Sequence, residues 1–278
     1  MTAPQEAGPL IRARAQNIGH GALSWLEAGQ GDALVLLHGV GSAARSFVAQ
    51  IGDLSARWRT LAWNAPGYGE SAAFANEAPE AANYADSLAK WLRALDIGRC
   101  HLVGHSLGSL IAARFAAQYP ERVRTLTLAS CAIGHARLPT AERERLLASR
   151  IEDVATLGAR GMAEKRGPRL LGPDASPEAI RCVVEVMASI HPHGYAQAAR
   201  MLSRGDMLSD LGGLPLSMPV QVVYGTADIV TPPAVNQRAA QARSGIRVVT
   251  IERAGHALYV ERPTQFNSVL QNFFDTAQ

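Results

Sequence analysis

The chain has 278 residues, 47% hydrophobic and 18% charged, and its 27 basic and 24 acidic residues leave a formal charge of +3. That balance excludes a collagen, a coiled coil or a disordered polymer as a description of the whole chain. Residues 1–136, 137–212 and 213–278 each carry one more basic than acidic residue, so no basic domain or tail is present to track a nucleic acid.

In chain order, strands are expected over 10–18 and 22–27, joined by Gly19-His20-Gly21 as an antiparallel hairpin. The unbroken apolar run from Ala33 to Leu37 ends at His38-Gly39 and reads as a strand buried on both faces of a parallel sheet. A second such strand spans 59–63, and a helix is expected over 84–95. A strand over 101–103, a helix over 107–118 ended by Pro120, and a strand over 123–129 follow.

From 137 to 212 the texture is helical and charged, with no strand signal. Thr140 is set to cap a helix reaching about residue 165. Ser176-Pro177-Glu178 places a capping serine before a proline at the first helical position, which starts a helix to about 190. A shorter helix is expected over 195–204, and across 137–212 Met162, Met187, Met201 and Met207 read as packing residues. Strands over 220–224 and 247–251 and a closing helix over 263–274 complete the chain.

Cys100, Cys131 and Cys182 do not pair completely and match no zinc spacing, so free thiols in a reducing compartment are expected. Residues 1–8 lack the basic flank and apolar stretch of a signal peptide. No run approaches the roughly 18–20 apolar residues of a bilayer span. A soluble, cytoplasmic protein with no membrane partner is the expectation. A homodimer is compatible with this composition, although no motif encodes one.

Gly104-His105-Ser106-Leu107-Gly108 lies between an expected strand and an expected helix. A sharp turn there lifts the serine hydroxyl above the sheet edge, with glycines relieving the crowding. A serine nucleophile needs a base and an orienting acid. His256 follows the strand at 247–251, and Asp228 follows the strand at 220–224. Each alone reads as an ordinary loop residue. Together they give the order Ser, Asp, His, each after a parallel strand, so all three converge on one sheet edge. The segment after 123–129 offers no carboxylate, which favours Asp228 further. In this reading His256 takes the Ser106 proton, Asp228 fixes the imidazole tautomer, and the N–H groups of Val40 and Leu107 form an oxyanion hole. The chemistry requires no cofactor and no metal, and His191-Pro192-His193 lacks the partners of a metal site.

These pieces resemble the α/β-hydrolase superfamily. They are His38-Gly39-Val40-Gly41, the stretch from Asn64 through Pro66-Gly67-Tyr68-Gly69 to Ser71, Gly104 to Gly108, Gly225 to Pro232, and Gly255-His256. The resemblance implies an eight-stranded, mostly parallel sheet flanked by helices, with a helical cap after the sixth strand. Residues 1–136 and 213–278 would then be the core and 137–212 the cap. The family often has Asp at the position of Asn64. Serine at 106 argues against the dehalogenase and epoxide-hydrolase branches, whose nucleophile is Asp. The tail from Gly255 to Pro263 is similar to that of the β-ketoadipate enol-lactonase group. A cofactor-independent hydrolase of a small carboxylic ester or lactone is thus expected.

One alternative is a carbon–carbon bond hydrolase of a ring-fission diketone. That group often has Trp where Ala257 stands, and it holds a substrate carboxylate with a cap arginine, for which Arg160, Arg169, Arg181 and Arg200 are available. The other alternative is a non-catalytic small-ligand binder on the same fold, which has no need of the three groups together.

Overall fold

The structure, a computed structural model, describes residues 10–19 and 21–276; His20 of the expected hairpin and the leader reading at 1–8 lie outside them. Among the described residues the strands are β1 Arg12–Asn17, β2 Ala22–Ala28, β3 Ala33–Leu37, β4 Arg59–Trp63, β5 Cys100–His105, β6 Val123–Ala129, β7 Val220–Gly225 and β8 Arg247–Ile251. They form one sheet in the order β1-β2-β4-β3-β5-β6-β7-β8. The β1–β2 and β2–β4 pairs are antiparallel and the rest are parallel. This is the eight-stranded, mostly parallel α/β architecture expected from the sequence.

The helices are α1 Val48–Leu54, α2 Ala81–Ala94, α3 Leu107–Gln118, α4 Thr140–Arg166, α5 Pro177–Ala188, α6 Pro192–Arg204, α7 Met207–Gly212, α8 Pro233–Gln241, α9 Leu258–Glu261 and α10 Pro263–Asp275. The apolar run of β3 explains why helices cover both faces. Successive strand residues point to opposite sides. Val35 and Leu37 pack with Leu88 and Trp91 of α2 and Ile111 and Phe115 of α3. Leu34 and Leu36 pack with Ile51 and Leu54 of α1 and Phe266 and Phe274 of α10. Each fully buried leucine contributes about 1.5–3 kcal/mol, so a polar residue in this run would open the sheet from the middle. Ring contacts reinforce both layers: Trp25 meets Trp91 edge-on at 5.6 Å, and Trp58 meets Phe274 at 5.4 Å.

Local chemistry sets several element boundaries. Ser176 accepts a hydrogen bond from the Ala179 N–H at 3.1 Å, with Pro177 in the first turn of α5, as the sequence implied. The Asn83 side chain accepts the Glu80 N–H at 2.8 Å, and α2 starts three residues earlier than the apolar pattern suggests. The expected continuous helix from 140 is corrected in two ways. Thr140 is the first helical residue and not the cap, because Pro139 precedes it in extended conformation. Gly158 breaks the helix, with φ 64° and ψ 177°, a conformation open to glycine and costly for other residues. No helix among the described residues is long and apolar enough to cross a membrane.

Candidate active site

Because β3, β5, β6, β7 and β8 run parallel, the segments that leave their C-terminal ends share one edge of the sheet. Ser106 directly follows β5 and precedes α3. Its φ of 52° and ψ of −116° are a strained combination for a residue with a side chain. The surroundings enforce it. A Cβ on Gly104 would lie 2.2 Å from the Gly108 carbonyl oxygen, and a Cβ on Gly108 would lie 2.2 Å from the Leu37 carbonyl oxygen. Larger residues at either position would push α3 off β3 and β5. The Ser106 N–H still bonds the Ala129 carbonyl at 2.9 Å, so β6 holds the turn as well.

His256 and Asp228 meet in the loops after β8 and β7. The His256 Nδ1 lies 2.9 Å from Asp228 Oδ2, and the two residues are only 3% and 2% exposed. Asp228 accepts further hydrogen bonds. Its Oδ1 takes the N–H groups of Val230 at 2.8 Å and Thr231 at 2.9 Å, and its Oδ2 takes the Thr231 hydroxyl at 2.9 Å. Burial opposes the charge on this carboxyl, but the bonds from His256 and Thr231 outweigh it and hold the group down at about 2. Asp228 is therefore ionised at neutral pH and receives the Nδ1–H of His256. That leaves Nε2 unprotonated in the neutral ring.

Ser106 and His256 both line a cavity of about 430 Å³. Among the described residues no hydrogen bond joins them; the shared wall is what brings them together. Val40 lines the same cavity, and its carbonyl accepts the Tyr68 hydroxyl at 2.7 Å. Gly39 lies so close that a Cβ there would come 3.1 Å from the Ser106 Cβ, which sets the Val40 turn beside the serine. The Leu107 side chain is packed in the core and does not line the cavity. Its N–H opens α3, and the first N–H groups of a helix have no partner within the helix.

Two other histidines are committed to the scaffold. His38 Nδ1 donates to the Gly39 carbonyl at 2.8 Å, and Nε2 accepts the Ala65 N–H at 3.0 Å; burial pushes this ring down to about 4. His105 Nε2 donates to the His256 carbonyl at 2.9 Å. Burial first, and then the neighbouring His256, push His105 down to about 3. It stays neutral and ties the His256 loop to the serine turn. Asn64 has a use of its own. Its Oδ1 accepts the Ala44 N–H and its Nδ2 donates to Ser24 Oγ, both at 2.9 Å. An ionised aspartate there could accept the Ala44 N–H but would have no proton to donate to Ser24.

The residues of 138–202 that face the cavity include Arg150, Arg166, Arg169 and Met187. Of the four arginines considered from sequence, only Arg169 lines it. Arg160 pairs with Glu185, Arg181 with Glu178, and Arg200 with Glu77. Met162, Met201 and Met207 are buried in the main core, as expected for packing residues. Arg150 and Thr231 are the residues the sequence reading missed. Thr231 sits inside the Gly225–Pro232 stretch, whereas Arg150 carries no local signal. Cys100 and Cys131 are buried free thiols, pushed up to about 12 by burial, and Cys182 is free and half-buried. Among the described residues no group of three or more His, Cys, Asp or Glu side chains is placed to hold a metal ion.

Residues 34–269 match the model of the alpha/beta hydrolase family. The chain is 27% identical to the (E)-2-((N-methylformamido)methylene)succinate hydrolase of Acinetobacter baylyi over 256 residues, covering 91% of this chain and 94% of that one. Among solved structures it is similar to a thermophilic esterase from Thermogutta terrifontis with malate bound. That match has a TM-score of 0.84 and 26% identity, over 98% of this chain and 99% of the esterase. The enol-lactonase from Burkholderia xenovorans shares the fold with a TM-score of 0.83 at 23% identity, over 94% of this chain and all of the other. With the sheet order, the serine turn and a family match from Leu34 onward in agreement, the chain belongs to the alpha/beta hydrolase family.

Proposed function

We propose that this hydrolase cleaves a small carboxylic ester or lactone through an acyl-enzyme formed on Ser106. His256 Nε2 takes the serine proton and returns it to the leaving group, and Asp228 holds the tautomer and balances the imidazolium charge. The N–H groups of Val40 and Leu107 receive the oxyanion. Water then attacks the acyl-enzyme with His256 again as base, and no cofactor enters. The observation that carries this reading is the buried 2.9 Å Asp228–His256 bond at the wall of the cavity that also exposes Ser106. Residues 137–212 act in this account as the cap that selects the substrate.

The cavity wall also bears on substrate charge. It holds Arg150, Arg166, Arg169 and Arg238 and no Asp or Glu. Asp153 neutralises Arg166, but Arg150, Arg169 and Arg238 have no ion-pair partner among the described residues. Arg150 is partly buried and reaches inward. It acts on the Tyr68 hydroxyl, against the burial that holds that group well above its ordinary range. It also joins burial in lowering His135. These cations favour a substrate that carries a carboxylate at its non-reacting end. The substituted succinate in the name of the Acinetobacter relative agrees with that choice. Steady-state hydrolysis of matched p-nitrophenyl esters, lactones and a ring-fission diketone tests the assignment. Ester or lactone turnover that vanishes in Ser106→Ala is the expected result. Turnover of the diketone alone would replace the reading with carbon–carbon cleavage.

A further inference from the structure

Thr231 touches both partners of the acid–base pair, and the donors around it assign each proton. The hydroxyl is 2.9 Å from Asp228 Oδ2 and 3.1 Å from His256 Nδ1. Asp228 is ionised and can only accept, so the one hydroxyl proton points at the carboxylate. The lone pairs of Oγ1 then face His256, and Nδ1–H is shared between Asp228 Oδ2 and Thr231 Oγ1. Three hydrogen bonds close a ring through Asp228, Thr231 and His256. A ring closed in this way resists rotation of the imidazole about its Cβ–Cγ bond and keeps the proton on Nδ1.

The backbone of Thr231 is anchored just as firmly. Its N–H bonds Asp228 Oδ1 at 2.9 Å, and its carbonyl accepts from Asn236 Nδ2 at 2.8 Å. Asn236 is fully buried, and its Oδ1 accepts the Cys131 N–H at 2.7 Å. The next residue, Ala132, bonds the Ser106 carbonyl through its N–H at 3.3 Å. A chain of hydrogen bonds therefore runs from the Ser106 turn through Ala132, Cys131 and Asn236 to Thr231, and so to the imidazole.

We propose that Thr231 is a positioning residue of this site: its hydroxyl shares the Nδ1 proton of His256 with Asp228 and so fixes the tautomer and plane of the base. This rests on the serine-hydrolase reading for its kinetic consequence, while the hydrogen bonding is independent of it. The decisive comparison is Thr231→Val, which keeps the shape and removes the hydroxyl, against Thr231→Ser, which restores it. Thr231→Val lowers kcat about five- to tenfold, the worth of one hydrogen bond, with KM within about twofold of wild type, and Thr231→Ser recovers most of the loss. The low-field proton resonance of His256 Nδ1–H moves in the valine variant and returns in the serine variant. Equal kcat in valine variant and wild type, or a serine variant as slow as the valine one, overturns the proposal. Should Thr231→Val not fold, Thr231→Ala against Thr231→Ser in the proton spectrum decides by the same criterion. An absence of all ester and lactone turnover in wild type would defeat the hydrolase reading, and the proton resonance would still decide the role of Thr231.

Discussion

The two sides of the cavity are built on different principles. On the sheet side, the polar groups are held by short hydrogen bonds, many with a backbone group at one end. The Ser106 N–H is paired into β6, Asp228 takes two loop N–H groups, and the His256 carbonyl is gripped by His105. On the helical side, long cationic side chains reach in from α4 and the turn after it, and α4 itself is interrupted at Gly158. The first arrangement ties its polar groups down, which suits bond making. The second presents charge on flexible stems, which suits recognition of a substrate end more than bond making. One of the places where the sides are joined lies beside His256, apart from bonds such as those of Gln197 to the Phe74 and Asn76 carbonyls. The buried Glu261 carboxylate accepts the Gly255 N–H at 2.8 Å and the Gly172 N–H at 2.9 Å, and Ala257 N–H bonds the Leu170 carbonyl at 2.7 Å.

Substitutions on the sheet side should have the largest effects, on kcat. Replacing Asp228 by Asn keeps the shape but favours the wrong imidazole tautomer, and the expected loss in kcat is on the order of 10⁴. A loss below about tenfold would remove Asp228 from the site. On the helical side the effect is smaller and falls on selectivity. Arg150→Gln lowers the ratio of kcat/KM for p-nitrophenyl hemiglutarate to that for the uncharged valerate by about 10- to 100-fold, the worth of hydrogen bonds to a charged group. Arg181→Gln, on the exposed face, leaves that ratio alone. If Arg150→Gln slows both esters equally, the division between the two sides is wrong.

Two stability predictions sharpen the contrast. Asp228 has its carboxyl held at about 2, below its ordinary value near 3.8. Its contribution is complete above pH 4 and is lost as pH falls through about 2, a change on the order of 2 kcal/mol. Asp153, Asp206 and other carboxylates held low lose their contribution in both proteins, so denaturant titrations between pH 5 and pH 2 should show wild type losing about 2 kcal/mol more than Asp228→Asn. An effect of similar size is expected at the helix break. Gly158→Ala forces a side chain into a positive-φ conformation and costs about 1–3 kcal/mol, read as a lowered midpoint of unfolding. No change there would mean that α4 straightens freely.

The sheet side was also the legible side. Strands at 33–37, 59–63, 123–129 and 247–251 fall where the sequence patterns put them: the first three are almost wholly buried, mostly apolar runs, and the last is a mostly exposed edge strand carried by its β-branched residues. Asp228 and His256 could be picked by chain order and by the rule that strand ends share an edge. The short helices α1, α7, α8 and α9 went unread, since stretches of four to nine residues hold too few turns for an apolar period to emerge. Of the inward arginines, Arg169 was among the sequence candidates, whereas Arg150 and Arg166 of α4 went unread for another reason. The break at Gly158 resets the helical phase, so the face occupied by Arg150 does not follow from a continuous pattern over 140–166. The bridging role of Thr231 depends on side-chain distances that spacing does not encode.

The central claim is that Ser106 is the group these loops activate. Treatment with an active-site fluorophosphonate, followed by peptide mass mapping, tests it most directly. The account predicts one adduct, on the peptide containing Ser106, formed rapidly in wild type, slowly in Asp228→Asn and not at all in Ser106→Ala. An adduct that persists in Ser106→Ala, or that maps to another residue in wild type, would contradict it.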